Sequence, residues 1–295
     1  MKYIIYSEKY INFVDQYWMQ VINFFKDCEW ETICIKNQDD INNKIFSKTD
    51  IVMYFISAGL FSVPSHYECY KIFWLCDMHN QSSIILNNIA KCDLIITPNS
   101  EFVIKRHSYM NNKQYISIGW GVKEIKSLVF NINPIKKILV SGAMEQIYYP
   151  LRVIASNQSK ELVEVLQHPG YGKLKHNIIG DDYILQLNKY LCCFCDASIL
   201  NIILKKIYEI LYSGSLLLAD LNIKNELKDV GIIENVHCIL CDTNNIEEKM
   251  KYILNKENSE EIDNIRKNGF KLAKENFTLI NHCNNINNKL QNYIK

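Results

Sequence analysis

Short apolar runs recur along the chain, and between them the apolar positions fall three and four residues apart. In the first half the runs are Tyr3 to Tyr6, Thr32 to Ile35, Ile51 to Ile56, Ile72 to Cys76, Leu94 to Thr97 and Tyr115 to Ile118. Such runs have strand length, and the spacing between them is that of helices with one buried face. Strands alternating with helices predict parallel sheets built from right-handed crossover units. A second series repeats the pattern: Ile138 to Ser141, Leu162 to Leu166, Leu191 to Cys195, Ser215 to Leu221 and Cys238 to Leu240. Between the two series, residues 131 to 137 are polar and include Pro134, which makes them the expected linker. From Ile262 to Tyr293 the spacing is helical and strand-free. The pattern therefore predicts an α/β chain of two Rossmann-like domains facing a cleft, over residues 1–133 and 134–262. A helical segment over 263–295 crosses back to brace the first domain.

Composition narrows the function classes. A chain of 295 residues is comfortable for two domains. The net charge of +1 supplies no global field to draw it to nucleic acid or to an acidic membrane. No apolar run approaches the roughly 18 to 20 residues that span a bilayer, so no transmembrane segment is expected. The 11 cysteines lie scattered through apolar segments, and Met1 leads straight into the first strand with no signal peptide; the expected setting is reducing and cytoplasmic.

The most informative block is Lys205 to Leu221. On a helix, Lys205, Lys206 and Glu209 lie within one turn of each other, while Ile207, Ile210 and Leu211 point inward. Gly214 can close the helix in a left-handed cap before a buried strand. Two cations and a carboxylate on one face suit a nucleoside diphosphate: lysine for phosphate, carboxylate for ribose hydroxyls. Ser198 is a candidate N-cap for this helix, which would aim its positive end at the same phosphates. The turn Ser141-Gly142 follows the first strand of the second series, where a small backbone can approach phosphate closely. Arg152, ten residues on, can fork onto diphosphate oxygens. Asp77 and His79 follow the strand Ile72 to Cys76, at the carboxyl edge where ligands collect in an open α/β sheet. There His79 can act as a base or hydrogen-bond a sugar, with Asp77 orienting it. His66 and Glu68 are weaker candidates from a neighbouring loop. Cys192-Cys193-Phe194-Cys195 and His237-Cys238 with Cys241 tempt a metal reading, but neighbours on a strand point to opposite faces and cannot converge on one ion. Core cysteine is the expectation, and no metal.

Lys206, Glu209, Ser213-Gly214 and Leu216-Leu217-Leu218, followed by Gly231 and His237, resemble the C-terminal domain of GT-B nucleotide-sugar glycosyltransferases of group 1, in particular the spore-maturation CgeB-like proteins. Val140-Ser141-Gly142 with Tyr149-Pro150-Leu151-Arg152 resembles the strand, loop and basic residue that open the sugar-donor domain there. His168-Pro169-Gly170-Tyr171 resembles a following loop; His168 and Tyr171 can lie beside the base or sugar there, and Pro169-Gly170 also fits a simple turn. The likeness is specific over about residues 136–280 and architectural before that. Many retaining members carry two glutamates separated by seven residues. With Glu209 as the second, the first position is Asn201, an amide that can hydrogen-bond a hydroxyl but cannot hold the charge.

The resemblance implies a retaining hexosyltransferase with no cofactor, while an inverting one would need His79 or Asp77 as base. No Asp-x-Asp dipeptide sits at a strand end in the usual metal-dependent arrangement, so no required metal is expected. Its co-substrates would be a UDP- or GDP-linked sugar and a carbohydrate or glycoconjugate acceptor. A sugar-nucleotide epimerase and a non-catalytic assembly protein of the same fold are the rival readings.

Overall fold

The computed structural model describes residues 1–7, 17–56, 61–168 and 178–294. Tyr171 and residues 8–16 lie outside the described residues. The chain divides into two compact units, Met1–Gly119 with Leu279–Lys295, and Trp120–Thr278.

The first unit holds strands β1 (Lys2–Ser7), β2 (Glu31–Ile35), β3 (Ile51–Phe55), β4 (Tyr70–Trp74), β5 (Leu94–Thr97) and β6 (Gln114–Ser117). They form one sheet in the order β2-β1-β3-β4-β5-β6, every pair parallel. The run Ile51-Val52-Met53-Tyr54-Phe55 has almost no polar alternation because helices cover both faces of a parallel sheet. Helix α1 (Tyr17–Asp27) turns Tyr17, Trp18, Val21, Ile22 and Phe25 inward. The shorter helices are α2 (Gln38–Asn42), α3 (Ser83–Lys91) and α4 (Glu101–Lys105).

The second unit holds β7 (Ile135–Ser141), α5 (Pro150–Ser156), β8 (Val163–Leu166), α6 (Gly180–Asn188), β9 (Tyr190–Cys195), α7 (Lys205–Ser213), β10 (Leu216–Asp220), α8 (Lys224–Asp229), β11 (Cys238–Cys241), α9 (Ile246–Leu254) and α10 (Ser259–Asn276). Its sheet is also parallel, in the order β11-β10-β9-β7-β8. Alternate residues feed separate cores. Leu139, Cys193, Cys195, Leu217 and Ala219 pack with α6 and α7 on one face. Ile138, Val140, Cys192, Phe194, Leu216 and Leu218 pack with α5, α9 and α10 on the other. The cysteines are core thiols of opposite faces, and burial pushes Cys193 and Cys195 up to about 12.

Two boundaries differ from the sequence expectation. The division falls at Gly119/Trp120, not at 133/134, because residues 120–134 pack into the second core through Val122, Ile125 and Leu128. Val122 donates its N–H to the Phe277 carbonyl at 2.8 Å, Ile125 donates to the Tyr212 hydroxyl at 3.0 Å, and Asn131 is held by Asn188 and Arg266. The tail returns to the first unit at 279, not at 263. Helix α10 stays in the second unit, burying Ile262, Ile265 and Ala273. Only α11 (Leu279–Leu290) joins the first unit, where it packs on α1 and β6; His282 Nε2 lies 2.7 Å from the Tyr17 hydroxyl, and Lys289 donates to the Ser117 carbonyl at 2.9 Å.

Candidate functional site

In the second sheet the chain runs from β7 outward to β8, then back to the other side of β7 for β9. The crevice beyond the carboxyl ends of β7 and β9 is thus the topological switch point, where doubly wound folds bind ligands. In the first sheet residues 8–16 and 57–60, which follow β1 and β3 in the chain, fall outside the described residues.

Five of the sequence candidates meet at the β7–β9 crevice. Strand β7 delivers Ser141 and then Gly142, whose φ of +111° is left-handed territory. A Cβ there would lie 2.5 Å from Lys206 Nζ and 2.6 Å from Arg152 Nη1. Lys206, in the first turn of α7, donates a short hydrogen bond to the Ser141 carbonyl. The Ser141 hydroxyl lies 2.8 Å from that of Tyr183. Arg152 enters from α5, whose start is fixed by Pro150. Lys205 and Glu209 form an i,i+4 ion pair at 3.3 Å, and Lys206 is the lysine that reaches the Ser141 carbonyl. Gly214 closes α7 in the left-handed region, with φ of +81°.

The Arg152 guanidinium does not fork outward as expected. Its Nη1 donates to the Ala143 carbonyl at 3.0 Å and its Nη2 to Asp196 Oδ1 at 2.5 Å, with both side chains no more than 3% exposed. Its face lies 3.9 Å over the Tyr149 ring. Asp196 is the residue the sequence reading missed. It follows directly on the wholly buried strand β9, and an acidic residue at the carboxyl edge of an apolar strand was the available signal.

Electrostatics follow from this packing. Among the described residues, two cations, Arg152 and Lys206, and one carboxylate, Asp196, stand around the Ser141–Ala143 turn, with Glu209 paired to Lys205. Burial and the neighbouring Arg152 lower the Lys206 ammonium to about 8, against the pull of Cys195, Asp196 and Glu209. Burial raises Asp196 although Arg152 and Lys206 hold it down. His168 is lowered by burial and by Lys206 and Arg152, which places it within the field of the same cluster. One strand further out, Asp220 accepts from Asn222 and Ala197.

Ser198 does not cap α7. The helix begins at Lys205 after Leu204, and Ser198 (φ +55°) accepts from its own neighbour Leu200 at 3.1 Å. Asn201 (φ +50°) sits in that same non-helical loop, so the pair Asn201 and Glu209 does not share a helix. Asp77 and His79 stand exposed on a turn after β4 in the first unit, with the Asp77 carbonyl accepting from Asn80. His66 is exposed, and Glu68 pairs at the surface with Lys48 at 3.5 Å. Among the described residues no cluster of three or more His, Cys, Asp or Glu could hold a metal ion.

No family model matches the sequence, and no curated protein does. Solved structures do match. Sucrose-phosphate synthase from Thermosynechococcus elongatus aligns over 99% of this chain and 98% of its own, with a TM-score of 0.70 at 10% identity. HepE from Anabaena, solved with UDP, aligns over 99% and 100%, with a TM-score of 0.63 at 10% identity. A glycosyltransferase from Rickettsia africae aligns over 99% and 98%, at 0.57 and 11%. The two parallel sheets are those of the GT-B glycosyltransferase fold, two Rossmann-like domains in one chain.

Proposed function

We propose that this chain is a glycosyltransferase that takes a sugar from a nucleoside diphosphate sugar, bound on the second unit, to a carbohydrate or glycoconjugate acceptor. The observation that carries the reading is the excess of positive charge at the β7–β9 switch point, two cations on a glycine turn against one carboxylate. A diphosphate is the ligand class that such a turn and charge suit. UDP is the first nucleotide to try, because HepE was solved with it.

As the glycosidic bond breaks, charge builds on the leaving diphosphate. Lys206 and the Gly142 turn would meet that charge from a fixed frame, with Arg152 behind them, and fixed positive groups are worth most where they need no rearrangement. Glu209 shares Oε1 with Lys205, which leaves its other oxygen for ribose hydroxyls. In a retaining reaction the leaving phosphate can itself take the acceptor proton; in an inverting one His79, oriented by Asp77, is the candidate base. Cations in place of a metal make the reaction metal-independent in this scheme, with no cofactor. The CgeB-like affinity and the cytoplasmic location belong to the same proposal. No feature of the site favours an epimerase. No helix among the described residues is long and apolar enough to cross a membrane.

A panel of nucleotide sugars screened by thermal stabilisation tests the reading, since a ligand that binds only the folded state raises its melting temperature. UDP and one UDP- or GDP-sugar should stabilise the protein, and Lys206→Ala should weaken UDP at least ten-fold while uridine binding changes little. No shift with any nucleoside diphosphate, or equal UDP affinity in the variant, would overturn it.

A further inference from the structure

Asp196 and Arg152 are an unusual pair to find in a crevice offered to an anion. Both are buried, and taking two charges out of water costs free energy that one contact seldom returns. Each also leaves an atom unmatched: Arg152 Nε and Asp196 Oδ2 have no hydrogen-bond partner among the described residues. A negative charge beside a phosphate site would, by itself, repel the ligand. The pair instead organises what surrounds it. With Nη2 on Asp196 and its plane against Tyr149, the guanidinium has its Nη1 on the Ala143 carbonyl. That contact fixes one end of the turn whose other end, the Ser141 carbonyl, receives Lys206. A Cβ added at Gly142 between them would lie 2.5 Å from Lys206 Nζ and 2.6 Å from Arg152 Nη1, so a side chain there would have to displace one of the cations.

We propose that Asp196 is the positioning residue of this site: it holds Arg152 turned inward on the Ala143 carbonyl, so that the guanidinium fixes the Ser141–Ala143 turn and Lys206 is the cation that meets the diphosphate. The inference rests on the nucleoside diphosphate reading and deepens it. Charge and position oppose each other here. Removal of a carboxylate next to a bound anion should tighten binding by Coulomb attraction alone. Removal of a clamp should loosen the turn, leave buried Arg152 and partly buried Lys206 facing each other without the carboxylate between them, and weaken binding. The groups that face Lys206 are Arg152 from α5, Cys193, Cys195 and Asp196 from β9 and its end, His168 from the segment after β8, and Glu209 on its own helix.

The test is UDP affinity by calorimetry for wild type, Asp196→Asn and Arg152→Lys, with folding checked by melting, beside an NMR titration of the Lys206 side chain without ligand. Asp196→Asn should lose at least ten-fold in UDP affinity at pH 7 and keep uridine affinity. Arg152→Lys, which keeps the charge and loses the fork, should show the same loss, so the idea stays testable if Asp196→Asn does not fold. The Lys206 midpoint, near 8 in wild type, should fall in Asp196→Asn and rise in Arg152→Met. Unchanged or tighter UDP binding in a folded Asp196→Asn, or midpoints that do not move, would overturn the positioning role and leave the donor reading standing. A wild type that binds neither UDP nor GDP would overturn the donor reading and this role with it, whatever the titration shows.

Discussion

At Gly142 the chain takes a left-handed backbone, and a Cβ added there would fall 2.5 Å from Lys206 Nζ and 2.6 Å from Arg152 Nη1. Gly142→Ala therefore carries both the strain of φ +111°, of order 1 kcal/mol or more, and a collision that moves one of the cations. A melting temperature lower by several degrees and at least ten-fold weaker UDP binding are expected. An alanine variant with wild-type affinity would show that the turn takes no part in binding. Single-residue chemistry was legible where residue type alone decides it. Lys206, Glu209 and Gly142 announce themselves by charge or by the lack of a side chain. The direction of Arg152 was not legible, since an arginine reads as an outward fork until the buried carboxylate that captures it is known. Asp196 was hidden for the same reason: it lies 44 residues from its partner.

Among the described elements, all eleven strands overlap the apolar runs, and β3, β5, β9, β10 and β11, the most buried, show that a strand covered on both faces needs an unbroken run and little else. The edges that moved did so by tertiary pairing. β4 begins at Tyr70 rather than Ile72, since Tyr70 and Lys71 pair with Ile51 and Val52. The helix expected from Ser198 begins seven residues later, after a loop in which Ser198 and Asn201 both take left-handed conformations that no local pattern signals. Helix α11 illustrates what packing does to a titratable group. Burial against Tyr17 lowers His282 to about 3, with Lys289 adding to the shift. An unfolded histidine takes up its proton near 6.5, so the neutral, buried ring favours the folded state above that pH. This contribution is lost as pH falls from 6.5 towards 3. Melting followed from pH 7.5 to 4.5 should show a steeper acid loss in wild type than in His282→Gln, and parallel curves would remove the assignment.

For the whole molecule, the two strand series showed the two-unit architecture, but the unit boundaries needed the fold. A polar stretch with a proline reads as a linker even when apolar residues just before it, at 122, 125 and 128, are part of the second core. Helical spacing from 262 onward likewise could not show that α10 stays with one unit while α11 joins the other. The division of labour between units is where the transferase proposal is most exposed. Sugar transfer requires a polar group near the acceptor as well as cations at the leaving group, and the cations all belong to the second unit. In the first, Asp77 and His79 occupy an exposed turn at the carboxyl edge of the sheet, the edge on which open α/β sheets place ligands. His79→Ala should then reduce turnover by about 10² or more, the scale for losing a positioned acid–base or polar group, and leave UDP affinity unchanged. On the proposed scheme, in which Lys206 with Arg152 behind it serves the diphosphate, the same assay should run undiminished in EDTA. Full activity in His79→Ala would release that residue from the mechanism. Activity lost to chelator and restored by manganese or magnesium would show that a metal, not the Lys206 cluster, stabilises the leaving group.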